Sequence, residues 1–197
     1  MTLHKSLAIL SSLCLIFMAI SSSTAQPPPV LDTNGQALRR GIEYYIKPAI
    51  TDVAGNLTLK SRSRAPCPLY VGQEPVASME IGLPVIFTPY AADEDIIREG
   101  MDFKVVFQAS STCIMLTQWR VEETEAATGR RLVGTGDDNG PTGMFRIDRS
   151  NLGVYNIGWC PEMFGRPRCG SAGILVEDGV RLLALDGSAF PFEFVKA

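Results

Sequence analysis

Histidine is nearly missing from this chain: His4 is the only one among 197 residues. Its surroundings read as a segment that is removed. His4 and Lys5 make a short positive start, Leu7 to Ile20 is an almost unbroken apolar run, and Ser23-Thr24-Ala25 offers small residues for cleavage. Together these describe a secretory signal peptide over residues 1–25 and a mature domain over 26–197. The mature chain then has no histidine, which excludes Ser-His-Asp and Cys-His nucleophiles, a histidine general base and His-ligated zinc. Long apolar runs are missing too, since no later stretch reaches the ~18 residues a spanning helix needs. No basic run is long enough to track phosphates, and the formal net charge is −3. The expectation is a secreted or vacuolar monomer without metal, cofactor, membrane or nucleic-acid partner.

Cysteine is scarce but even in number. Cys14 leaves with the signal, and Cys67, Cys113, Cys160 and Cys169 remain. Two disulfides are the expectation in an oxidising compartment, with no thiol left as nucleophile. Four cysteines allow three connectivities, and the residues alone select none of them.

What is present is short β-type alternation. Phe103, Val105 and Phe107 alternate with Asp102, Lys104 and Gln108, and Trp119 and Val121 flank Arg120, a period of two that sends one set inward. Asp178-Gly179 between GILVE and VRLLAL is the strongest hairpin signal, because both turn positions favour positive φ. Asn34-Gly35, Thr128-Gly129, Asn139-Gly140 and Asp186-Gly187 punctuate similarly. Many short strands with frequent turns imply an all-β sandwich or barrel. Pro27 to Pro29 read as an extended, exposed arm without amide hydrogens. Loose echoes among GIEYYIKPA, MDFKVVFQ and GVYNIGWCP are explained equally well by core packing. Asn56-Leu57-Thr58 is a glycosylation acceptor.

The segment VLDTNGQALRRGIEYYI, residues 30–46, resembles the N-terminal signature of the soybean-type Kunitz inhibitor family, with an apolar residue, Asp32, Gly35, Leu38 and Tyr44 at its offsets. The likeness continues in APCPL, WRVE, MFRID, YNIGWCP and the closing VRLLALD with FPFEF. It implies a β-trefoil of about twelve strands, and it pairs Cys67 with Cys113 and Cys160 with Cys169.

Inhibitors of this family present a convex loop that a serine protease binds like substrate, and a loop ordered beforehand avoids the entropy loss of docking. In trypsin-directed members a basic residue follows a Ser-Pro-Tyr type segment. Here Thr88-Pro89-Tyr90 is followed by Ala91 and Ala92, then by Asp93, Glu94 and Asp95. Alanine cannot make the charge-assisted bonds of an arginine in trypsin's acidic pocket. The stretch PVIFTPYAADEDIIRE looks like the cereal α-amylase/subtilisin inhibitor branch, which implies a subtilisin- or elastase-like target. Tyr90, Ala91 and Ala92 are then the reactive segment, with the acids keeping the outer limb in water. Family trypsin inhibitors carry a loop-bracing asparagine two residues after the signature leucine; Arg40 stands there in this chain.

Two further basic sites read as structural or solvated: Arg166 and Arg168 inside the short cysteine loop, and Arg62 and Arg64 ahead of Cys67. The expected function is a secreted plant serine-protease inhibitor used in defence. The alternatives are an α-amylase inhibitor, or a non-inhibitory storage or miraculin-like binding protein. An enzyme is the least favoured class.

Overall fold

The computed structural model describes residues 26–50, 54–62, 64–76, 81–113, 115–137, 140–161 and 169–197. The signal segment, Asn139, Arg166 and Arg168 lie outside the described residues. Thirteen strands run through the described chain: β1 Glu43–Pro48, β2 Leu57–Ser61, β3 Leu69–Gln73, β4 Val85–Pro89, β5 Phe103–Phe107, β6 Trp119–Thr124, β7 Arg131–Thr135, β8 Phe145–Arg149, β9 Tyr155–Trp159, β10 Gly170–Ser171, β11 Gly173–Glu177, β12 Val180–Ala184 and β13 Pro191–Lys196. One 3₁₀ turn, Pro141–Gly143, leads into β8.

Six strands close a ring. β1 pairs with β4, β4 with β5, β5 with β8, β8 with β9, β9 with β13, and β13 with β1, all antiparallel. Closure removes the open edges that an isolated sheet would offer for aggregation. The hairpins β2–β3, β6–β7 and β11–β12 cap one end of the ring. Their inner strands meet pairwise, through Tyr70 with Gly134, Gly72 with Leu182, and Leu132 with Ala184. Gly72 is required at this meeting point, because a Cβ there would lie 2.8 Å from the Arg181 carbonyl oxygen. A closed ring and three converging hairpins make a β-trefoil. β10, only two residues long, is added beside β9.

The three sequence echoes are β1, β5 and β9 with their flanks, the first strand of each of the three units. Core packing and repetition are therefore one fact here, since equivalent strands bury equivalent faces. The predicted alternation holds: Phe103, Val105 and Phe107 are buried while Lys104 is partly exposed. Inside the ring, Phe87 meets Phe103 edge-on at 5.4 Å and Phe194 at 5.7 Å, geometries that aromatic quadrupoles favour. Trp119, fully buried, lies 5.6 Å from both Phe107 and Phe145. The Asp178-Gly179 turn forms as predicted, joining Glu177 to Val180 with φ of 47° and 81°.

Both disulfides are present, Cys67–Cys113 with Cα atoms 5.8 Å apart and Cys160–Cys169 at 4.5 Å. The first ties the β2–β3 connection to the β5–β6 connection. It encloses residues 88–100 in sequence, yet the loop there rests on a different part of the chain. Leu83 N–H, just before β4, donates to Leu57 O of the cap. β4 therefore runs away from the cap, and its loop emerges at the open end of the ring.

Candidate functional site

The 90–102 connection leaves β4 through Pro89, paired with Phe103, and Tyr90 N–H still donates to Asp102 O at 3.0 Å. Beyond that last rung Tyr90, Ala91, Ala92 and Asp93 are exposed, Tyr90 at 41% of its surface. The three alanine-centred residues singled out from sequence thus share one protruding tip. A tight turn shapes it, with Glu94 N–H reaching Ala91 O at 3.3 Å. Between the limbs lies a cleft of about 550 Å³ bordered by Pro89, Tyr90, Ile96, Met101 and Phe103. The tip leans on polar bracing rather than on packed side chains.

Arg40 supplies that bracing. Its Nη2 donates to the carbonyl oxygens of Ala91 at 3.0 Å, Ala92 at 3.2 Å and Glu94 at 2.7 Å, and its Nε lies 3.4 Å from the Asp95 carboxylate. Its own backbone N–H donates to Asp95 O at 2.8 Å. A guanidinium suits this task, because its planar donors stay charged and serve several acceptors at once. The position noted from sequence, two residues after Leu38, is where the structure places this contact.

The outgoing limb is pinned on the N-terminal segment. Ile97 N–H donates to Leu38 O and Val30 N–H to Ile97 O, both at 2.9 Å, with Val30, Leu38 and Ile97 buried. The proline arm, expected to be simply exposed, lies along this limb instead. Pro29 bridges Arg98, Glu99 N–H donates to Pro28 O, and Arg98 Nη1 donates to Pro27 O. Prolines have no amide hydrogen, so the arm docks by accepting bonds on its carbonyls.

Of the three acids expected to keep the limb in water, Asp93 and Asp95 are exposed and Glu94 is only partly so. Asp95 pairs with Arg40 while staying exposed, and it is Glu94 that departs from the expectation by folding back into the loop. Glu94 accepts from Asp95 and Ile96 N–H at 3.1 and 3.0 Å and from Arg98 Nε at 2.8 Å. Hydrogen bonding from Arg98, then from the Ile96 amide, holds its carboxyl below the usual glutamate range. Glu94 and Arg98 were missed as bracing residues, although their i,i+4 acid–base spacing was visible in sequence.

Arg62 is likewise corrected from solvated to clamped. It donates to Glu177 at 2.7 and 2.9 Å and to both oxygens of Glu125. The Glu177 bonds, then those to Glu125, raise its pKa above the ordinary arginine value. Arg64 is exposed, as read from sequence. Asn56 Nδ2 donates to Ile81 O at 2.6 Å, and Thr58 of the same sequon is buried on β2. Among the described residues, no group of three or more His, Cys, Asp or Glu is placed to hold a metal ion.

Residues 30–196, which build this ring and its Arg40-braced loop, match a family model described as trypsin and protease inhibitor. The chain belongs to the Kunitz family of protease inhibitors. This Kunitz chain is 39% identical to Kunitz type trypsin inhibitor 111 of Medicago truncatula, over 99% of this chain and 98% of the relative. It is 40% identical to an α-amylase/subtilisin inhibitor of Hordeum vulgare, over 78% and 81% of the two chains. Among solved structures, the rice bifunctional α-amylase/subtilisin inhibitor from Oryza sativa superposes with a TM-score of 0.72 at 32% identity, covering 87% of this chain and 99% of the other. The Kunitz family is one of inhibitors rather than enzymes, and its members include both branches that the sequence resembled.

Proposed function

We propose that this Kunitz protein inhibits a subtilisin- or elastase-like serine protease through Tyr90, Ala91 and Ala92, with trypsin a poor target at this loop. The observation that carries the reading is the Arg40 guanidinium holding the carbonyls behind an exposed tip with small side chains. Small residues suit a primary pocket that accepts alanine, and they forfeit the ion pair trypsin offers to arginine.

The Ala91 carbonyl points into the turn, where it accepts from Arg40 and Glu94 N–H. A protease engaging the Ala91–Ala92 bond must draw that oxygen outward. Releasing such bonds costs on the order of 1–3 kcal/mol. Ordering a free loop costs roughly 1–2 kcal/mol for each residue fixed. With Ala92 and Glu94 still held, the brace favours binding on balance.

The same reading makes the protein secreted or vacuolar, monomeric and used in defence. It also takes Asn56 as a glycan acceptor, modified before Thr58 is buried and keeping one N–H for Ile81. Loss of mass on amidase treatment of protein from its native tissue tests that point. The likeness to cereal bifunctional inhibitors makes α-amylase the second target to assay. Inhibition constants against subtilisin, elastase, chymotrypsin, trypsin, papain and α-amylase test the whole reading. Subtilisin or elastase should rank first, and failure to inhibit either would refute it.

A further inference from the structure

The connection between β2 and β3 has features of a second binding head, at the capped end of the trefoil. Ser61 pairs with Leu69, the last rung of the hairpin before this connection. Arg64, Ala65 and Pro66 are exposed in it. Among the described arginines, Arg64 and Arg39 hold no side-chain hydrogen bond or ion pair. Arg39 is bridged through its backbone to Ile96, whereas Arg64 has no such tie.

Both flanks of Arg64 are anchored. Two residues before it, Arg62 is fixed to Glu125 beyond β6 and to Glu177 at the end of β11. Three residues after it, Cys67 is cross-linked to Cys113, whose Sγ lies 3.4 Å from Pro66 O. Pro66 fixes its own φ angle between these anchors, and Pro68 does so directly after Cys67. An exposed arginine without a side-chain partner, with anchored residues two positions before it and three after it, has less freedom to lose on capture, which limits the entropy lost on binding.

The geometry points to Arg64 as the primary contact of a second, independent site for a serine protease with an acidic specificity pocket. The guanidinium would enter that pocket and make charge-assisted bonds to its carboxylate. Pro66 has no N–H to give a bound enzyme, so this head should bind less tightly than one with a full set of main-chain donors. This site and Tyr90–Ala92 lie at opposite ends of the ring, so two enzymes can be held at once.

Trypsin is the probe. Wild type, Arg64→Lys and Arg64→Ala are titrated against trypsin and against subtilisin, with mass spectrometry of the inhibitor after each incubation. Wild type and Arg64→Lys should inhibit trypsin while staying intact. Arg64→Ala should raise the trypsin inhibition constant at least 30-fold and leave subtilisin inhibition unchanged. The proposal fails if wild type does not inhibit trypsin, if Arg64→Ala inhibits it equally well, or if trypsin severs the Arg64–Ala65 bond and inhibition is lost. Absence of subtilisin inhibition in all three proteins counts against the Tyr90–Ala92 reading alone, because the trypsin data decide the Arg64 site separately.

Discussion

The guanidinium of Arg40 donates to the carbonyl oxygen of Ala91 at 3.0 Å across 51 residues of sequence. The same Nη2 holds Ala92 and Glu94, so one side chain orders the whole tip. Arg40→Ala should therefore weaken inhibition about 10- to 100-fold, while unfolding shifts little because the residue is partly exposed. Inhibition constants beside thermal melts check this. Amide exchange over 91–95 should accelerate in the variant.

Acid should loosen the loop before the barrel. The folded Glu94 carboxyl sits below its ordinary value, mainly through Arg98. A depressed carboxyl stabilises the fold above its unfolded pKa, and that contribution is lost as pH falls through the folded one. Protection of the Asp95 and Ile96 amides should hold at neutral pH and fade as pH drops below the usual glutamate range. Glu94→Gln should show faster exchange at neutral pH with little further change in acid. Hydrogen exchange followed from pH 7 to pH 3 is the measurement.

In the cap, Arg62→Ala leaves Glu125 and Glu177 without their shared cation. Their side chains are 22% and 24% exposed, and Arg62 is 32% exposed, so solvent screens the loss. A destabilisation of about 1–2 kcal/mol is expected. That corresponds to a melting shift of roughly 2–8 °C. Denaturant titration of the two proteins reads it directly.

Asp186→Ala should cost more. Arg131 and Asp186 are 9% and 5% exposed, joined at 2.7 Å, and Arg131 also stacks 4.9 Å from the Trp159 ring. Removing one partner of a buried pair leaves an uncompensated charge, typically 3–5 kcal/mol. Equilibrium unfolding of Asp186→Ala against wild type measures the loss.

The strands were legible because each buries one face, as Phe103, Val105 and Phe107 do. The Asp178-Gly179 hairpin was legible because its backbone needs positive φ. The threefold arrangement was faint, since β1, β5 and β9 share burial rather than identity. The exposed tip at Tyr90–Ala92 and the position of Arg40 could be located through family likeness, and the structure puts Arg40 in contact with the Ala91 and Ala92 carbonyls. Arg62 could not be read, because its partners lie 63 and 115 residues away. The proline arm was misjudged for a related reason: its docking uses carbonyls, which no side-chain pattern reports.

The most direct test grafts a basic residue onto the loop. Ala91→Arg is made in an Arg64→Ala background, so that any trypsin inhibition must come from the open end of the ring. Inhibition constants for subtilisin and trypsin are then compared with those of Arg64→Ala alone. Trypsin inhibition should strengthen at least 100-fold and subtilisin inhibition should change with it. Unaltered constants for both enzymes would contradict placement of the reactive segment at Tyr90, Ala91 and Ala92.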